Sequence, residues 1–214
     1  MRRKVILFDL DGTITDSGEG IINCVQLALS HFGLPHDDRN ALRCFVGPPL
    51  RDMFIQHGVP EDSVEEAIRV YRSRYTTVGI FENYPYPGVR ELLDLLNKDG
   101  FRLFIATSKP ESMARQVLDH FDLTRYFEEI AGSTLDGKRD TKSDVIAYLL
   151  EKTGAFENAV MVGDTHYDVI GAAEHKIPTI GVSWGYGKCG EMRSAGAIAI
   201  ADSPAELYTL LKNE

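Results

Sequence analysis

Hydrophobic residues follow two different spacings along most of this chain. Short apolar runs predict buried strands, first at VILF (residues 5–8) and later at FRLFIAT, AVMVGD, PTIGVSW and AIAIA. Between these runs, apolar residues recur at helical spacing, as in VRELLDLLNKDG, PESMARQVLDHF and SDVIAYLLEKTG. Strands that alternate with helices are typical of a parallel sheet covered by helices on both faces. The pattern therefore predicts an α/β fold.

Residues 17–83 have a different pattern. The segments EGIINCVQLALSHFG and EDSVEEAIRVYRSRYTTVG each place apolar residues on one helical face, and two shorter helices are expected between them, at DDRNALRCFVG and PPLRDMFIQHG. No strand pattern interrupts them, and YPYPG at residues 84–88 predicts a turn before the alternation begins. We therefore expect an α/β core formed by residues 1–16 and 84–214, with a helical domain of residues 17–83 inserted after the first strand.

The composition narrows the range of partners. The chain of 214 residues has a formal net charge of −9, which argues against nucleic acid or an anionic membrane as a main partner. No apolar stretch approaches the roughly 20 residues of a membrane span, and the apolar run near the start is too short for a signal peptide. Cys24, Cys44 and Cys189 form no C-x-x-C pair, so neither a disulfide framework nor a zinc site is expected. We predict a soluble cytoplasmic protein with reduced cysteines.

Carboxylates follow two of the predicted strands. Asp9 and Asp11 come directly after the first strand, and Asp164 and Asp168 lie in GDTHYD after a later one. Two carboxylates as close as Asp9 and Asp11 resist ionising together, so we expect a neutralising partner or a chemical use for them. Ligands of α/β proteins bind at the carboxyl ends of the strands. If these strands are neighbours, the carboxylates form a site for a hard divalent cation, and Mg²⁺ fits best.

Hydroxyl and basic residues near this predicted site are suited to binding a phosphate group. Thr107 and Ser108 end a strand just before a predicted helix, whose free backbone N–H groups favour an anion. The segment GKRDTKSDVI supplies Lys138, Arg139 and Lys142. We favour Lys142 for balancing a phosphate and a carboxylate nucleophile, because it immediately precedes a helical run. Together these groups suit phosphoryl transfer through an aspartyl-phosphate.

Each motif taken alone has an ordinary structural explanation. D-x-D-G also begins an EF-hand calcium loop, but Ile14 and Gly20 occupy the positions where such a loop needs Gly and Glu. Thr107 and Ser108 alone are more typical of a helix cap, and a lysine before a helix is usually solvated. It is the occurrence of all the motifs, in this order, that favours a catalytic site.

The motifs together resemble one enzyme superfamily. FDLDGT, IATSK, Lys142 and GDTHYD, in this order, are similar to the haloacid dehalogenase (HAD) superfamily of phosphohydrolases, and the resemblance covers essentially the whole chain. It implies a Rossmann-like parallel-sheet core, and the helical insert resembles the cap domain of the C1 class. Within the superfamily, the chain is most similar to the phosphoglycolate phosphatases, pyrophosphatases and 5′-nucleotidases. The implied activity is Mg²⁺-dependent hydrolysis of a small phosphate ester.

The resemblance also implies roles for individual residues. Asp9 would be the nucleophile that becomes phosphorylated. Asp11 would first protonate the leaving oxygen and then activate water. Thr107 and the backbone of Ser108 would bind the transferring phosphoryl group, and Lys142 would stabilise the charge on Asp9 and on the phosphate.

A metal site and a source of specificity follow from the same resemblance. Mg²⁺ would be bound by Asp9, by the backbone carbonyl of Asp11 and by Asp164, with Asp168 in a supporting position. Selectivity is expected from the cap domain, where the stiff turn of GPPLRDM is suited to presenting Arg51 to the substrate. A solvated Arg51 at a helix start is the alternative.

Other functions stay open at this point. A phosphomutase of the same superfamily would return the phosphoryl group to a sugar instead of water. A phospho-accepting signalling domain also has an acidic pair, Mg²⁺ and a late lysine, but it needs an acceptor Asp at the end of a middle strand, where this chain has Thr107 and Ser108. The complete catalytic set disfavours a catalytically silent binding protein. We expect a small phosphorylated metabolite as the partner, and a monomer or weak homodimer.

Overall fold

The described part of the chain divides into two compact units. One unit contains the chain up to Thr15 and from Pro85 onward, and the other is Asp16–Tyr84. Each boundary of the second unit lies one residue outside the 17–83 segment expected from the sequence. The computed structural model describes residues 5–34, 37–154 and 158–213.

Six parallel strands form the sheet of the first unit. In chain order, the strands of the described residues are β1 (Val5–Phe8), β2 (Thr15–Asp16), β3 (Tyr84–Pro85), β4 (Arg102–Pro110), β5 (Glu129–Ser133), β6 (Ala159–Gly163), β7 (Thr179–Val182) and β8 (Ala199–Ala201). The six-stranded sheet has the order β5-β4-β1-β6-β7-β8, and each neighbouring pair is parallel. The predicted α/β fold is therefore confirmed. Strands β2 and β3 form a separate two-stranded sheet where the chain leaves the first unit and returns to it.

Within residues 5–34, 37–154 and 158–213, three α-helices lie in the second unit and six in the first. They are α1 (Gly18–His31), α2 (Leu50–Gln56), α3 (Val64–Tyr75), α4 (Val89–Lys98), α5 (Glu111–His120), α6 (Lys142–Thr153), α7 (His166–Ala173), α8 (Cys189–Ala195) and α9 (Pro204–Asn213). Helix α8 is not indicated by the sequence pattern, because Met192 is its single buried residue. Within the described residues, no helix is long and apolar enough to cross a membrane.

Strand β1 lies at the centre of the large sheet and is buried along its whole length. Its register aligns Phe8 with Ile105 of β4 on one side and with Val162 of β6 on the other. Apolar side chains of α6, including Leu149, pack on this sheet, and each buried aliphatic or aromatic side chain contributes roughly 1.5–3 kcal/mol. Because the strands are parallel and in register, the residues after Phe8, Ile105 and Val162 come together at one edge of the sheet.

The second unit contains no strand in its described residues between β2 and β3, as the sequence pattern predicts. Helix α1 packs against α3. Near the end of the unit, the carboxylate of Glu82 accepts two hydrogen bonds of 2.7 Å from Arg74 of α3 and one of 3.0 Å from Asn23 of α1. These bonds attach both helices to the segment that precedes β3.

Candidate active site

Asp9 continues the sheet one residue beyond β1. Its backbone N–H donates to the carbonyl of Val162 (2.9 Å), so the carboxylate projects from the carboxyl end of the sheet. The chain then turns at Gly12, whose φ of 85° favours glycine. A Cβ at Gly12 would lie 2.3 Å from Oδ2 of Asp164, so a larger residue would also displace that carboxylate. The D-x-D-G motif thus has two functions. It places the carboxylate of Asp9 at the end of the sheet, and its glycine lets the loop after β1 approach Asp164 closely.

Lys142 neutralises Asp9 within the protein interior. Its ammonium lies 2.9 Å from Oδ1 of Asp9 and 2.8 Å from Oδ1 of Asp168, and it donates a hydrogen bond to the carbonyl of Ala106 (2.8 Å). Lys142 is the first residue of α6, which begins with a capping box between Thr141 and Asp144. The helix start therefore sets the position of the lysine. Burial lowers the pKa of Lys142, but Asp168 and Asp9 outweigh it, so the pKa is raised.

Three buried carboxylates form an acidic group beside this lysine. Asp9, Asp164 and Asp168 each offer one oxygen, and these oxygens lie within 4.8 Å of one another. Burial raises the pKa of Asp9 to about 6, although the nearby ammonium of Lys142 lowers it in part. Burial, together with Asp168 and Asp9, raises the pKa of Asp164 to about 8. Burial first, and neighbouring carboxylates after it, disfavour the ionised forms of these acids, and a bound cation would favour them.

Asp164 is held from two directions. The hydroxyl of Thr13 donates to Oδ1 of Asp164 (3.2 Å), and the backbone N–H of Tyr186 donates to Oδ2 (2.8 Å). Tyr186 lies in the loop after β7, whose glycines permit this approach. A Cβ at Gly185 would lie 2.4 Å from Cβ of Asp164, and a Cβ at Gly187 would lie 2.0 Å from its carbonyl oxygen. The carboxylate is therefore positioned by Thr13 of the FDLDGT motif and by the backbone of a loop that the sequence motifs do not include.

Asp168, unlike Asp9 and Asp164, also caps the start of a helix. It is the third residue of α7 and forms a capping box with Thr165, whose backbone N–H and hydroxyl both donate to Oδ2 of Asp168 (3.0 and 2.9 Å). Its Oδ1 faces Lys142. Asp168 thus caps α7 and pairs with Lys142, in addition to its place in the acidic group.

Strand β4 is longer than the sequence pattern predicts. Thr107 and Ser108 lie inside β4, which continues to Pro110 with a shift of register after Thr107. The hydroxyl of buried Thr107 contributes a hydrogen bond that lowers the pKa of Asp9, while Ser108 is half-buried. Alternation along the strand places Lys109 on the same side as Thr107. Thr107 thus lies beside Asp9, as expected from the motifs.

Lys109 is a site residue that the sequence reasoning missed. Its ammonium lies 3.1 Å from Oδ1 and 2.9 Å from Oδ2 of Asp11, and it is almost fully buried. Asp11 is not a member of the three-carboxylate group. Asp9 and Asp11 are therefore neutralised by separate lysines, Lys142 and Lys109, and each acid has its own partner. The signal for Lys109 in the sequence is its place two residues after Thr107, which indicates its direction once β4 is known to continue to Pro110.

An aromatic residue contacts the loop after β1. The indole N–H of Trp184 donates to the backbone carbonyl of Thr13 (3.1 Å), and its ring meets that of Tyr86 at a centroid distance of 6.5 Å. The backbone N–H of Tyr86 in turn donates to the carbonyl of Ile14 (3.0 Å). These contacts hold the backbone of the loop after β1 at Thr13 and Ile14.

Two predicted residues form ion pairs of their own. Arg51 lies in the first turn of α2 in the second unit and forms a 2.9 Å ion pair with Glu65. Its predicted role in substrate selection stays a prediction. Lys138, the rival of Lys142, is exposed and pairs with Asp136 (3.0 Å).

Sequence comparison identifies the family of this chain. It belongs to the haloacid dehalogenase-like hydrolase family, whose sequence model matches residues 6–182. The match includes the acidic residues from Asp9 to Asp168 and the intervening helical unit. The predicted superfamily is therefore confirmed, and with it an enzyme of the hydrolase class.

Individual relatives carry different names. The chain is 42% identical over 196 residues to a 5′-nucleotidase of Pseudomonas aeruginosa, covering 91% of this chain and 89% of that protein. It is 44% identical over 186 residues to the tyrosine-protein kinase PtkA of Mycobacterium tuberculosis, covering 86% of this chain but 64% of the kinase, so it spans less than two thirds of that protein. A crystal structure of a predicted phosphatase from Clostridium acetobutylicum matches with a TM-score of 0.94 and 43% identity over 99% of both chains.

Proposed function

We propose that this chain is a Mg²⁺-dependent phosphatase that hydrolyses a small phosphate ester through an aspartyl-phosphate on Asp9. The observation that carries the proposal is the contact between buried Asp9 and Lys142 at the carboxyl end of β1. The lysine keeps a carboxylate available for attack in the protein interior, and it carries positive charge to where a phosphoryl group would arrive. Membership of the hydrolase family supports this reading.

The acidic group fits a hard divalent cation. Its donors are carboxylate oxygens, which are ligands that Mg²⁺ prefers. Burial and, after it, neighbouring carboxylates raise the pKa values of Asp9 and Asp164, and a bound cation would favour their ionised forms. Asp9, Asp164 and the backbone carbonyl of Asp11 would hold Mg²⁺, and Asp168 would support them through Lys142. When bound, the cation would neutralise the phosphate and the nucleophile so that they can approach each other.

The reaction then proceeds in two steps. An oxygen of Asp9 forms a bond to phosphorus while the ester bond breaks, and Asp11 supplies a proton to the leaving oxygen. Thr107 and the Ser108 backbone hold the phosphoryl oxygens, and Lys142 balances their charge. Asp11 next removes a proton from water, whose oxygen attacks phosphorus and releases Asp9 and inorganic phosphate.

A phosphorylated metabolite of nucleotide size is the proposed substrate class. The 42% identity to a protein named 5′-nucleotidase, over nearly the full length of both, supports a nucleoside monophosphate within this class. The helical unit Asp16–Tyr84 would act as the cap that selects the substrate, with Arg51 as a candidate contact. A cytoplasmic location and a monomer or weak homodimer are part of the same proposal.

Phosphotransfer to tyrosine is the second candidate function. The observation that favours it is the 44% identity to a tyrosine-protein kinase. Such an enzyme would take a phosphoryl group from a nucleoside triphosphate and pass it to a phenol oxygen instead of water.

One set of assays tests both functions. Phosphate release is measured with Mg²⁺ on p-nitrophenyl phosphate, nucleoside monophosphates, phosphoglycolate, sugar phosphates and pyrophosphate, for the wild type and for Asp9→Asn. The proposal expects turnover by the wild type and none by the variant. Turnover by Asp9→Asn contradicts the assignment of the nucleophile. Incubation with ATP and a tyrosine-containing peptide is the second arm, and phosphotyrosine without phosphate release favours the kinase.

A further inference from the structure

Lys109 is a buried lysine to which the catalytic motifs assign no role. Its side chain is 4% exposed and that of Asp11 is 13% exposed, and the ammonium lies 2.9 and 3.1 Å from the two carboxylate oxygens. Both oxygens of Asp11 therefore face one donor. A charge-assisted pair with so little access to water keeps its geometry, because neither group regains its hydration by turning away.

The backbone around Lys109 is also fixed. The register of β4 against β5 shifts between Thr107 and Pro110, and the N–H of Lys109 donates to the hydroxyl oxygen of Thr107 (3.2 Å). Strand β5 approaches so closely here that a Cβ at Gly132 would lie 2.4 Å from the carbonyl oxygen of Lys109. The backbone of Lys109 is thus held at its N–H by Thr107 and packed at its carbonyl against Gly132. A lysine on such a fixed backbone is suited to orienting the Asp11 side chain.

We propose that Lys109 is a positioning residue for Asp11, and that its main effect is on hydrolysis of the aspartyl-phosphate. This inference rests on the proposed function. Lys109 does not touch the reacting atoms in this scheme. It orients the carboxylate of Asp11, whereas Lys142 pairs with Asp9.

Hydrolysis of the aspartyl-phosphate depends on the orientation of the Asp11 carboxylate. Asp11 removes a proton from water as the water oxygen bonds to phosphorus. The bond between phosphorus and the oxygen of Asp9 breaks, and its electron pair returns to Asp9, which leaves phosphate and a free carboxylate. The proton stays on Asp11 for the leaving oxygen of the next substrate. Proton transfer needs a heavy-atom distance of roughly 2.6–3.2 Å, so a displaced carboxylate is a poor base.

An activated ester separates this step from the first one. p-Nitrophenolate leaves without needing a proton, so phosphorylation of Asp9 by p-nitrophenyl phosphate does not depend on Asp11. Hydrolysis of the phosphoenzyme still does. Loss of Lys109 should therefore slow the second step selectively, and the phosphoenzyme should accumulate. A residue that only supports the fold would affect both steps.

The test compares Lys109→Met with Lys98→Met, a matched change at an exposed lysine on α4. Each is mixed with p-nitrophenyl phosphate and Mg²⁺ and quenched in acid, and p-nitrophenol and the mass of the phosphorylated chain are followed. We expect a burst of about one p-nitrophenol per Lys109→Met chain, a kcat lower by roughly 10–100-fold, and a lower KM. Lys109→Arg should recover part of the hydrolysis rate, and Lys98→Met should match the wild type.

Two results would overturn the inference. One is a folded Lys109→Met with wild-type kcat, and the other is a folded Lys109→Met with low kcat and no accumulated phosphoenzyme. If melting curves show that Lys109→Met does not fold, Lys109→Gln, which keeps an N–H donor, is judged by the same criteria. Failure of the proposed function is recognised separately, by a wild type without turnover or by an active Asp9→Asn.

Discussion

The backbone N–H of Tyr186 donates a 2.8 Å hydrogen bond to Oδ2 of Asp164, which joins the loop after β7 to the end of β6. The two segments are in close contact. A Cβ at Gly185 would lie 2.4 Å from both Cβ and Oδ2 of Asp164. Backbone atoms of the loop after β7 thus help to position a proposed metal ligand, together with the hydroxyl of Thr13.

Gly185→Ala should weaken Mg²⁺ binding, because the added methyl group displaces Asp164. Outer contacts that orient a metal ligand typically change affinity by about 10–100-fold, and we expect a loss in this range. Isothermal titration with Mg²⁺ measures it without turnover. Gly190→Ala is the matched control, because a Cβ at Gly190 has no neighbour within 4 Å. Equal Mg²⁺ affinity in the two variants would contradict the prediction.

Lys142→Met should remove most of the activity. The variant loses the ammonium that contacts both Asp9 and Asp168, so two buried carboxylates lose their partner. We expect kcat to fall by roughly 10²–10³-fold, the usual cost of removing a preorganised stabilising group. Lys138→Met changes an exposed lysine in the same segment and should keep nearly full activity. A larger loss in Lys138→Met would reverse the choice between the two lysines.

Mg²⁺ should stabilise the folded protein, and a chelator should remove that effect. Three buried carboxylates lie together, and Lys142 pairs with two of them, Asp9 and Asp168, so a cation would relieve the repulsion within the group. At a concentration of 100 times Kd, binding adds about 2.7 kcal/mol to the free energy of unfolding. Melting temperatures with Mg²⁺ and with EDTA measure the shift. Asp164→Asn should lose the shift, and a variant that keeps it would show that Asp164 is not a ligand.

The stability of the helical unit should depend on pH through Glu82. Hydrogen bonds from Arg74 lower the pKa of Glu82 to about 2, against an ordinary value of 4.5. Because the folded pKa is the lower one, this stabilisation is complete above pH 4.5 and is lost as the pH falls to about 2. Glu82→Gln should cost about 1–3 kcal/mol at pH 7 and progressively less below pH 4.5.

Urea unfolding at several pH values checks this expectation, with exposed Glu61→Gln as the control. A cost for Glu82→Gln that stays constant from pH 7 to pH 2.5 would show that the Arg74 pair does not stabilise the unit.

Much of the fold follows from hydrophobic spacing. Strands β1 and β6 and helices α1 and α6 are strongly apolar on their buried sides, so their positions are evident in the sequence. Helix α8 is missed, because its short sequence buries a single side chain. The extension of β4 beyond Thr107 is missed for another reason. Its last residues are polar because they line the site, and the local sequence resembles a helix start.

The site is predictable where side chains alone define it. Asp9, Thr107, Lys142 and Asp164 lie together as the order of the strands requires, although their catalytic roles stay predictions. The contact of Tyr186 with Asp164 is made by a backbone N–H of a loop distant in sequence. Because every residue except proline has a backbone N–H, the residue type does not indicate such a contact. Lys109 lies between these cases. Strand alternation from Thr107 indicates its direction, but its pairing with Asp11 depends on the tertiary structure.

Trp184 is the single tryptophan of the chain, and its indole N–H is bound to the carbonyl of Thr13. Excitation of the native protein at tryptophan wavelengths therefore produces emission from one place only, directly behind the loop that carries Asp9 and Asp11. Indole emission shifts with the polarity and hydrogen bonding around the ring. This protein thus contains a built-in fluorophore, and ligand arrival at the loop can be followed in real time without a label.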